Sequence, residues 1–335
     1  MLNNVNILIT GGTGSFGKQF IKAILSKFNP NKVIVYSRDE LKQHEMRQEK
    51  PFNDKRIRYF IGDVRDKERL HRAFDGVDCV VHAAALKQVP SCEYNPFEAI
   101  KTNILGAENV INVSIDRGVK RVVALSTDKA CSPINLYGAT KLCSDKLFIA
   151  GNAYVGKHDT RFSVVRYGNV AGSRGSVIPF FKKIIDSGET EIPITDKNMT
   201  RFWMGLSKAV NLVLLALENM SGGELYVCKV PSIKITDLAK AMAPDLPINV
   251  IGTRPGEKIH EMMISKDDAR NTVEFDEYYV IEPEFDWWEI RKKYQKEGKP
   301  VQEDFEYTSG KNKEWLTVEQ IKTMFNELHN EKVFV

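Results

Sequence analysis

The stretch Thr10-Gly-Gly-Thr-Gly-Ser-Phe-Gly17 constrains the fold of this chain more than any other. It lies between a β-branched run at 5–10 and an amphipathic run at 15–27. In the latter, Phe16, Phe20, Ile21, Ile24 and Phe28 recur near one helical face. Glycines at 12, 14 and 17 make G-x-G-x-x-G. Glycine there permits a tight strand-to-helix turn and lets backbone N–H groups approach a pyrophosphate at the helix N-terminus. Alone, the pattern is weak evidence. Here it opens a series of strand–helix units, and so predicts a dinucleotide loop with Gly11, Thr13, Gly14, Ser15, Phe16 and Gly17 as contacts.

Strands are expected at 5–10, 32–36, 57–61, 79–82, 122–126 and 163–167. Helices are expected between them, over 15–27, 39–50, 67–74, 95–117 and 135–153. That alternation implies an α/β fold, a Rossmann-type doubly wound parallel sheet covered on both faces. Beyond 167 the pattern breaks up. Residues 168–175 are glycine-rich, 192–200 read as loop, and 209–219 and 236–242 read as helices. The segment 282–310 mixes aromatic and charged residues without a period and is not placed. Thr317-Val-Glu-Gln320 has the form of a capping box that opens a last helix. The expected division is a dinucleotide-binding Rossmann domain over 1–167 and a smaller, mainly substrate-binding α/β region over 168–335. The helix near 205–220 is expected to return to the first domain.

Composition narrows the functional classes. A chain of 335 residues suits one large domain or two modest ones. Its 48 Lys+Arg against 44 Asp+Glu leave +4, too small an excess to point to nucleic acid or a membrane surface. No apolar run approaches a membrane span, and the N-terminus lacks the basic region of a signal peptide, so a cytoplasmic protein is expected. The five cysteines are scattered without a C-x-x-C. Reduced thiols are expected, and neither disulfides nor a metal site.

The second strand ends at Tyr36-Ser37-Arg38-Asp39-Glu40, about 20 residues beyond Gly17. An acidic residue at that tip would hold the ribose 2′-OH of NAD. Ser37 and Arg38, with Lys42 as a second charge, suit a 2′-phosphate, so NADP is expected over NAD. The competing reading leaves Arg38 solvated and gives the ribose to Asp39. Asp63 and Val64 follow the third strand, where an adenine edge lies, although Asp63 would serve equally as a helix N-cap. Ala83, Ala84 and Ala85 follow the fourth strand and allow close backbone approach.

A second cluster handles protons. The fifth strand ends in Ser126-Thr127-Asp128-Lys129, and Tyr137-Gly-Ala-Thr-Lys141 follows on a helix. Tyr137 and Lys141, four residues apart, share a face. The ammonium is expected to lower the phenol pKa, so that tyrosinate takes a proton from a sugar hydroxyl as hydride leaves carbon. Asp128 and Lys129 would project in opposite directions from a continuing strand unless the backbone turns. They read either as a surface ion pair or as an acid and a base for a second proton transfer. The carboxyl edge of the sheet favours the latter.

The loop TGGTGSFG, STDKA and YGATK together resemble the extended short-chain dehydrogenase/reductase superfamily. Most sugar-nucleotide dehydratases of that group carry Thr-Asp-Glu where this chain has Thr127-Asp128-Lys129. With AAALKQVP at 83–90, RYGNVAGSRGSVIPFF at 166–181 and GTRPGEKIHE at 252–261, the chain resembles the inverting UDP-N-acetylglucosamine 4,6-dehydratases of pseudaminic-acid biosynthesis. The resemblance runs from about residue 5 to 275 and implies a tightly held, recycled NADP. Hydride leaves C4, water is lost across C5 and C6, and hydride returns to C6 with inversion at C5. It implies that Tyr137, Lys141 and Thr127 handle the C4 hydroxyl, that Lys129 removes the C5 proton, and that Asp128 protonates the departing C6 hydroxyl. A Lys129 with a pKa lowered by burial would serve best. Ser126, Tyr137, Lys141 and Lys87 are implied cofactor contacts. Lys87, Thr127, Tyr137, Asn169, Val177, Thr195, Met199, Arg201, Arg254 and Glu257 are implied for the UDP-sugar. Arg201 and Arg254 would pair with diphosphate and Glu257 would accept ribose hydroxyls. The superfamily implies a homo-oligomer, and related inverting dehydratases form hexamers. The rival readings are a retaining dehydratase, a UDP-sugar 4-epimerase, which leaves Asp128 and Lys129 idle, and a non-catalytic NADPH sensor.

Overall fold

The structure, a computed structural model, describes residues 2–172, 176–285, 287–288 and 293–330, with side chains to 325. Six short β-branched runs pair in parallel. They are β1 (Asn6–Thr10), β2 (Lys32–Ser37), β3 (Ile57–Ile61), β4 (Cys79–His82), β5 (Arg121–Leu125) and β6 (Arg161–Arg166). Four more strands extend the sheet: β7 (Leu225–Cys228), β8 (Thr272–Glu274), β9 (Tyr278–Ile281) and β10 (Lys299–Pro300). The order is β10-β8-β9-β7-β6-β5-β4-β1-β2-β3. β7 joins β6 in parallel, whereas β8, β9 and β10 run antiparallel to their neighbours. Strand order reverses between β1 and β4, and an open α/β sheet holds its ligand in the crevice at such a point.

Register places the motifs on one edge. Thr10 lies opposite both Tyr36 and His82, and His82 lies opposite Ala124. The loops that follow β1, β2, β4 and β5 therefore leave the sheet side by side. Thr10 Oγ1 bonds His82 Nδ1 at 2.8 Å and accepts from the backbone N–H of Ala83 at 3.1 Å. Burial, with Lys141 nearby, pushes His82 down to about 3, so its ring is a neutral structural link.

Most expected elements stand within two residues of their places, and the helix expected over 95–117 is divided. It runs Pro96–Ile100, opens into a π-turn at Lys101–Leu105, and resumes at Gly106–Asp116. The wider turn buries Asn103, whose side chain donates to Leu86 O at 2.9 Å and Thr140 Oγ1 at 3.0 Å. It also accepts from Leu86 N at 2.8 Å. π-turns inside helices collect at functional sites, and this one fixes the loop after β4 against the helix that bears Tyr137.

Residues beyond 167 contribute to both layers. The helix Leu206–Asn219 packs on β5, β6 and β7 and on the helix Ser15–Lys27. A second core gathers Ile178, Phe181, Ile194, Trp203, Ile233, Leu238 and Ile321. Around it lie a three-stranded sheet, Ser232–Lys234 beside Thr200–Met204 beside Asn169–Val170, and a parallel pair, Ile248–Val250 with Ile192–Ile194. The tail left unplaced by sequence supplies β10 and a strand at Tyr307–Thr308 that pairs with Met262–Ile264. Thr317 and Gln320 form the expected capping box (2.8 and 3.3 Å) before the helix Val318–Asn330. Among the described residues no helix is long and apolar enough to cross a membrane, no cluster suits a metal, and all five cysteines are free thiols.

Glu224 ties the returning chain to the sheet. Its buried carboxylate accepts from Ser163 Oγ at 2.6 Å and from the backbone N–H groups of Ser221 (2.7 Å) and Gly222 (2.9 Å). Glu224→Ala strands these donors in the interior and is expected to destabilise the fold by about 3 kcal/mol. Calorimetry should show a Tm lowered by several degrees, and an unchanged Tm would refute the assignment.

Candidate active site

The nucleotide loop is shaped by what its glycines exclude. Gly11 has φ +66°, and a Cβ there would stand 3.0 Å from the Ala83 backbone. A Cβ on Gly17 would overlap the Gly12 carbonyl. The helix Ser15–Lys27 begins after Gly14 with no side-chain cap, so its first N–H groups have no capping side chain at the edge of the cleft. A helix start left uncapped beside small residues fits a pyrophosphate. At the tip of β2, Asp39 caps the helix Glu40–Gln48 through Lys42 N and pairs with Lys42 Nζ at 2.7 Å. Arg38 reaches Asp63 at 3.7 Å. Asp63 accepts from the backbone N–H of Arg65 at 2.9 Å, and the N-cap of the following helix is Asp66.

After β5 the chain runs through Ser126 and an extended Thr127 into one 3₁₀ turn, Asp128–Ala130. That turn reverses the alternation of the strand and brings the two neighbouring side chains together, Lys129 Nζ to Asp128 Oδ1 at 3.0 Å. The helix Leu136–Gly151 is capped by Asn135, whose Oδ1 accepts from Gly138 N at 2.8 Å and whose Nδ2 donates to Gly256 O at 2.8 Å. Gly138 sits so close to the Lys129 carbonyl that a Cβ would overlap it. Tyr137, Lys141 and Asp145 follow at four-residue intervals on one face. Asp145 accepts from Ser126 Oγ at 2.6 Å and pairs with Arg166 at 3.3 Å.

Glu261, which sequence reasoning did not single out, closes the other side of the turn. Its carboxylate lies 3.0 Å from Lys129 Nζ and 3.9 Å from Arg201 Nε. Arg201 reaches Glu257 at 3.5 Å, and Glu257 reaches Arg254 at 2.9 Å. The charges alternate from Arg254 at the mouth to Asp128 at the base. Arg201 is therefore buried between two carboxylates, while Arg254 lies at the exposed end, 70 % open.

Two expected pKa shifts are corrected. Burial works against the Lys129 ammonium, but Asp128 and Glu261 outweigh it, so Lys129 is raised rather than lowered. Burial also raises the Tyr137 phenol to about 12, and the cation that opposes this most is Lys129, not Lys141. Lys141 itself is pushed down by burial, with Asp145 opposing. Burial, reinforced by Glu261 and opposed by Lys129, lifts Asp128, whose Oδ2 is buried with no hydrogen-bond partner among the described residues. Glu261 is held low against its own burial by Lys129 and Arg201. The arrangement is a carboxyl of raised proton affinity paired with a lysine whose ammonium two carboxylates favour, and a second carboxylate, Glu261, that is held low.

The residues expected for catalysis, cofactor and substrate line one cleft of about 900 Å³ that runs from the nucleotide loop to Arg254. Gly11, Thr13, Gly14, Ser15, Phe16, Gly17, Arg38, Lys42, Asp63 and Ala83 to Ala85 lie toward one end. Asp128, Lys129, Tyr137 and Lys141 stand in its wall, and Asn169, Val177, Thr195, Met199, Arg201 and Glu257 lie toward the other end. Met199 also belongs to the second core and its sulfur accepts from Arg201 Nη2 at 3.0 Å. Residues 173–175 of the 166–181 motif lie outside the described residues.

A family model described as polysaccharide biosynthesis protein matches residues 7–283. The chain belongs to that family. An inverting UDP-N-acetylglucosamine 4,6-dehydratase from Campylobacter jejuni is 55 % identical over 97 % of this chain and 98 % of its own. A UDP-glucose 4-epimerase from Rickettsia canadensis is 44 % identical over 84 % of each chain. Among solved structures, Pen from Bacillus thuringiensis superposes with a TM-score of 0.89 at 36 % identity, covering 99 % of both chains. The chain thus has relatives named for two different sugar-nucleotide activities, and the site geometry has to separate them.

Proposed function

We propose that this member of the polysaccharide biosynthesis family is an NADP-dependent, C5-inverting UDP-N-acetylglucosamine 4,6-dehydratase, which feeds a surface-glycan pathway of the pseudaminic-acid kind. The convergence of Asp128 and Lys129 beside Tyr137 carries the reading. Epimerisation needs one proton acceptor at C4. Elimination needs two further groups, a base at C5 and an acid at the C6 hydroxyl, and this cleft holds both.

When bound, the nicotinamide supplies a reversible hydride acceptor. The protein residues supply the rest. Tyr137, bonded to Thr127, accepts the C4 hydroxyl proton, and the C4 ketone then acidifies C5–H. Lys129 passes its proton to Asp128 across their 3.0 Å contact, and the neutral amine then takes the C5 proton. Asp128, lifted by burial, gives a proton to the C6 oxygen, and one water leaves. Arg254 and Glu257, at the end of the cleft away from the dinucleotide loop, are the groups that would hold the diphosphate and ribose of the UDP-sugar through charge-assisted bonds.

NADP is favoured because Asp39 is engaged by Lys42 and by its helix, while Arg38 remains about half exposed on the cleft. Arg38→Ala is expected to weaken NADP binding by about 10- to 100-fold, the worth of one charged hydrogen bond, and to leave NAD binding unchanged. Titration with both cofactors checks it, and equal losses for the two would refute the 2′-phosphate assignment. The overall reading is tested by incubating the protein with UDP-N-acetylglucosamine in D2O. Loss of one water, deuterium at C5 and L-arabino couplings support it. A D-xylo ring would remove the inversion, and a 4-epimer without water loss would favour the epimerase.

A further inference from the structure

The backbone around Glu261 is fixed before its side chain does anything. Its N–H donates to Ser309 Oγ at 2.9 Å and its carbonyl accepts from Ser309 N at 2.8 Å. The strand Met262–Ile264 that follows is paired to Tyr307–Thr308. From this anchored point the carboxylate, 2 % exposed, meets Lys129 Nζ at 3.0 Å, on a segment separate from the one that supplies Asp128. Its Oε2 is buried with no hydrogen-bond partner among the described residues. A buried carboxylate half satisfied in this way is costly for stability alone.

We infer that Glu261 is the positioning residue of Lys129, aiming its Nζ beside Asp128 and setting the proton affinity of the Asp128–Lys129 pair. The inference rests on the dehydratase reading and adds to it a residue that the catalytic motifs do not contain. A lysine stem has four rotatable bonds and no preferred direction. Two carboxylates 3.0 Å from the same nitrogen, on separate segments, give it one. The charged and titratable groups around the nitrogen are Asp128 from its own turn, Glu261 and Arg201 from the outer segments, Lys87 from the loop after β4, and Tyr137 from the helix. Glu261 is the negative member that is not itself part of the acid–base pair.

The sign of its effect follows from charge. Removing one negative charge beside Asp128 and Lys129 makes both harder to protonate, so both proton affinities fall. The apparent values of a coupled pair belong to the pair. Both limbs of the pH profile of kcat therefore move to lower pH, whichever group each limb reports. Glu261→Gln, which keeps the shape and removes the charge, is expected to shift the profile down by about 1–3 pH units. Glu261→Asp keeps the charge and shortens the reach. Its profile is expected to hold its position with a lower kcat and an unchanged KM.

The experiment measures kcat and KM for water loss from UDP-N-acetylglucosamine against pH for the parent and both variants, with thermal melts alongside. A downward shift in Glu261→Gln, absent in Glu261→Asp, supports the inference. A fall in kcat with no movement in Glu261→Gln, or unfolding of both variants, would show a structural role and overturn it. A parent that releases no water from this substrate would overturn the dehydratase reading itself, and the inference with it.

Discussion

Lys129→Ala is expected to lower kcat for water loss from UDP-N-acetylglucosamine by about 10²–10⁴-fold, the usual worth of a positioned general base. In the proposed mechanism this side chain, beside Asp128 in the cleft, takes the C5 proton. Its loss has a second consequence. Asp128 and Glu261 would lose the cation they share, so the proton affinity of both carboxyls rises. The acid for the C6 oxygen thus survives, and the missing function is the base. Rapid-quench analysis in D2O should show little deuterium entering C5, and retained dinucleotide content should show that the fold holds. Water loss at the parental rate would end the dehydratase mechanism proposed here. Epimerisation at the parental rate would favour the epimerase reading instead.

Much of the site was legible in the sequence because of where an α/β sheet puts its loops. Gly11 to Gly17, Arg38, Asp63, Ala83 and Asp128 each follow a strand, and parallel strands deliver their carboxyl ends to one edge. Local spacing therefore predicted a three-dimensional cleft. Glu261 escaped because its partners lie at 129 and 201. Nothing in GEKIHE marks its last residue as facing a lysine from another segment. The same distance explains the reversed shift of Lys129. Burial of Lys129 is guessable from its motif, but the count of carboxylates around it is not, and here two anions outweigh desolvation. The tail at 282–310 was illegible for another reason. Its strands are two residues long, one at a sheet edge and one in a separate two-stranded pair, and a period of two needs more residues than that to show. The π-turn at Lys101–Leu105 belongs with Glu261, since it answers to the bonds Asn103 makes across the fold.

Tyr137→Phe is expected to reduce kcat by a similar factor, about 10²–10⁴, through an earlier step. The ring still fills its place, so binding of substrate and the Asp128–Lys129 contact should persist. What disappears is the hydroxyl that bonds Thr127 and receives the C4 proton. With burial holding that phenol at about 12, the parent has little phenolate at neutral pH, and its rate through this step should rise with pH. The phenylalanine variant should lose that rise. Isotope effects then separate the two residues. In Tyr137→Phe, deuterium at C4 of the sugar should slow turnover, because oxidation at C4 has become limiting, while deuterium at C5 should have no effect. In Lys129→Ala the sensitivity should be at C5. An exchange of these two patterns would assign the C4 proton to Lys129 and the C5 proton to Tyr137. Two residues that shared a single proton transfer would give the same pattern in both variants. Neither outcome is compatible with a phenol on the helix at 137 and an ammonium fixed between two carboxylates at the end of β5.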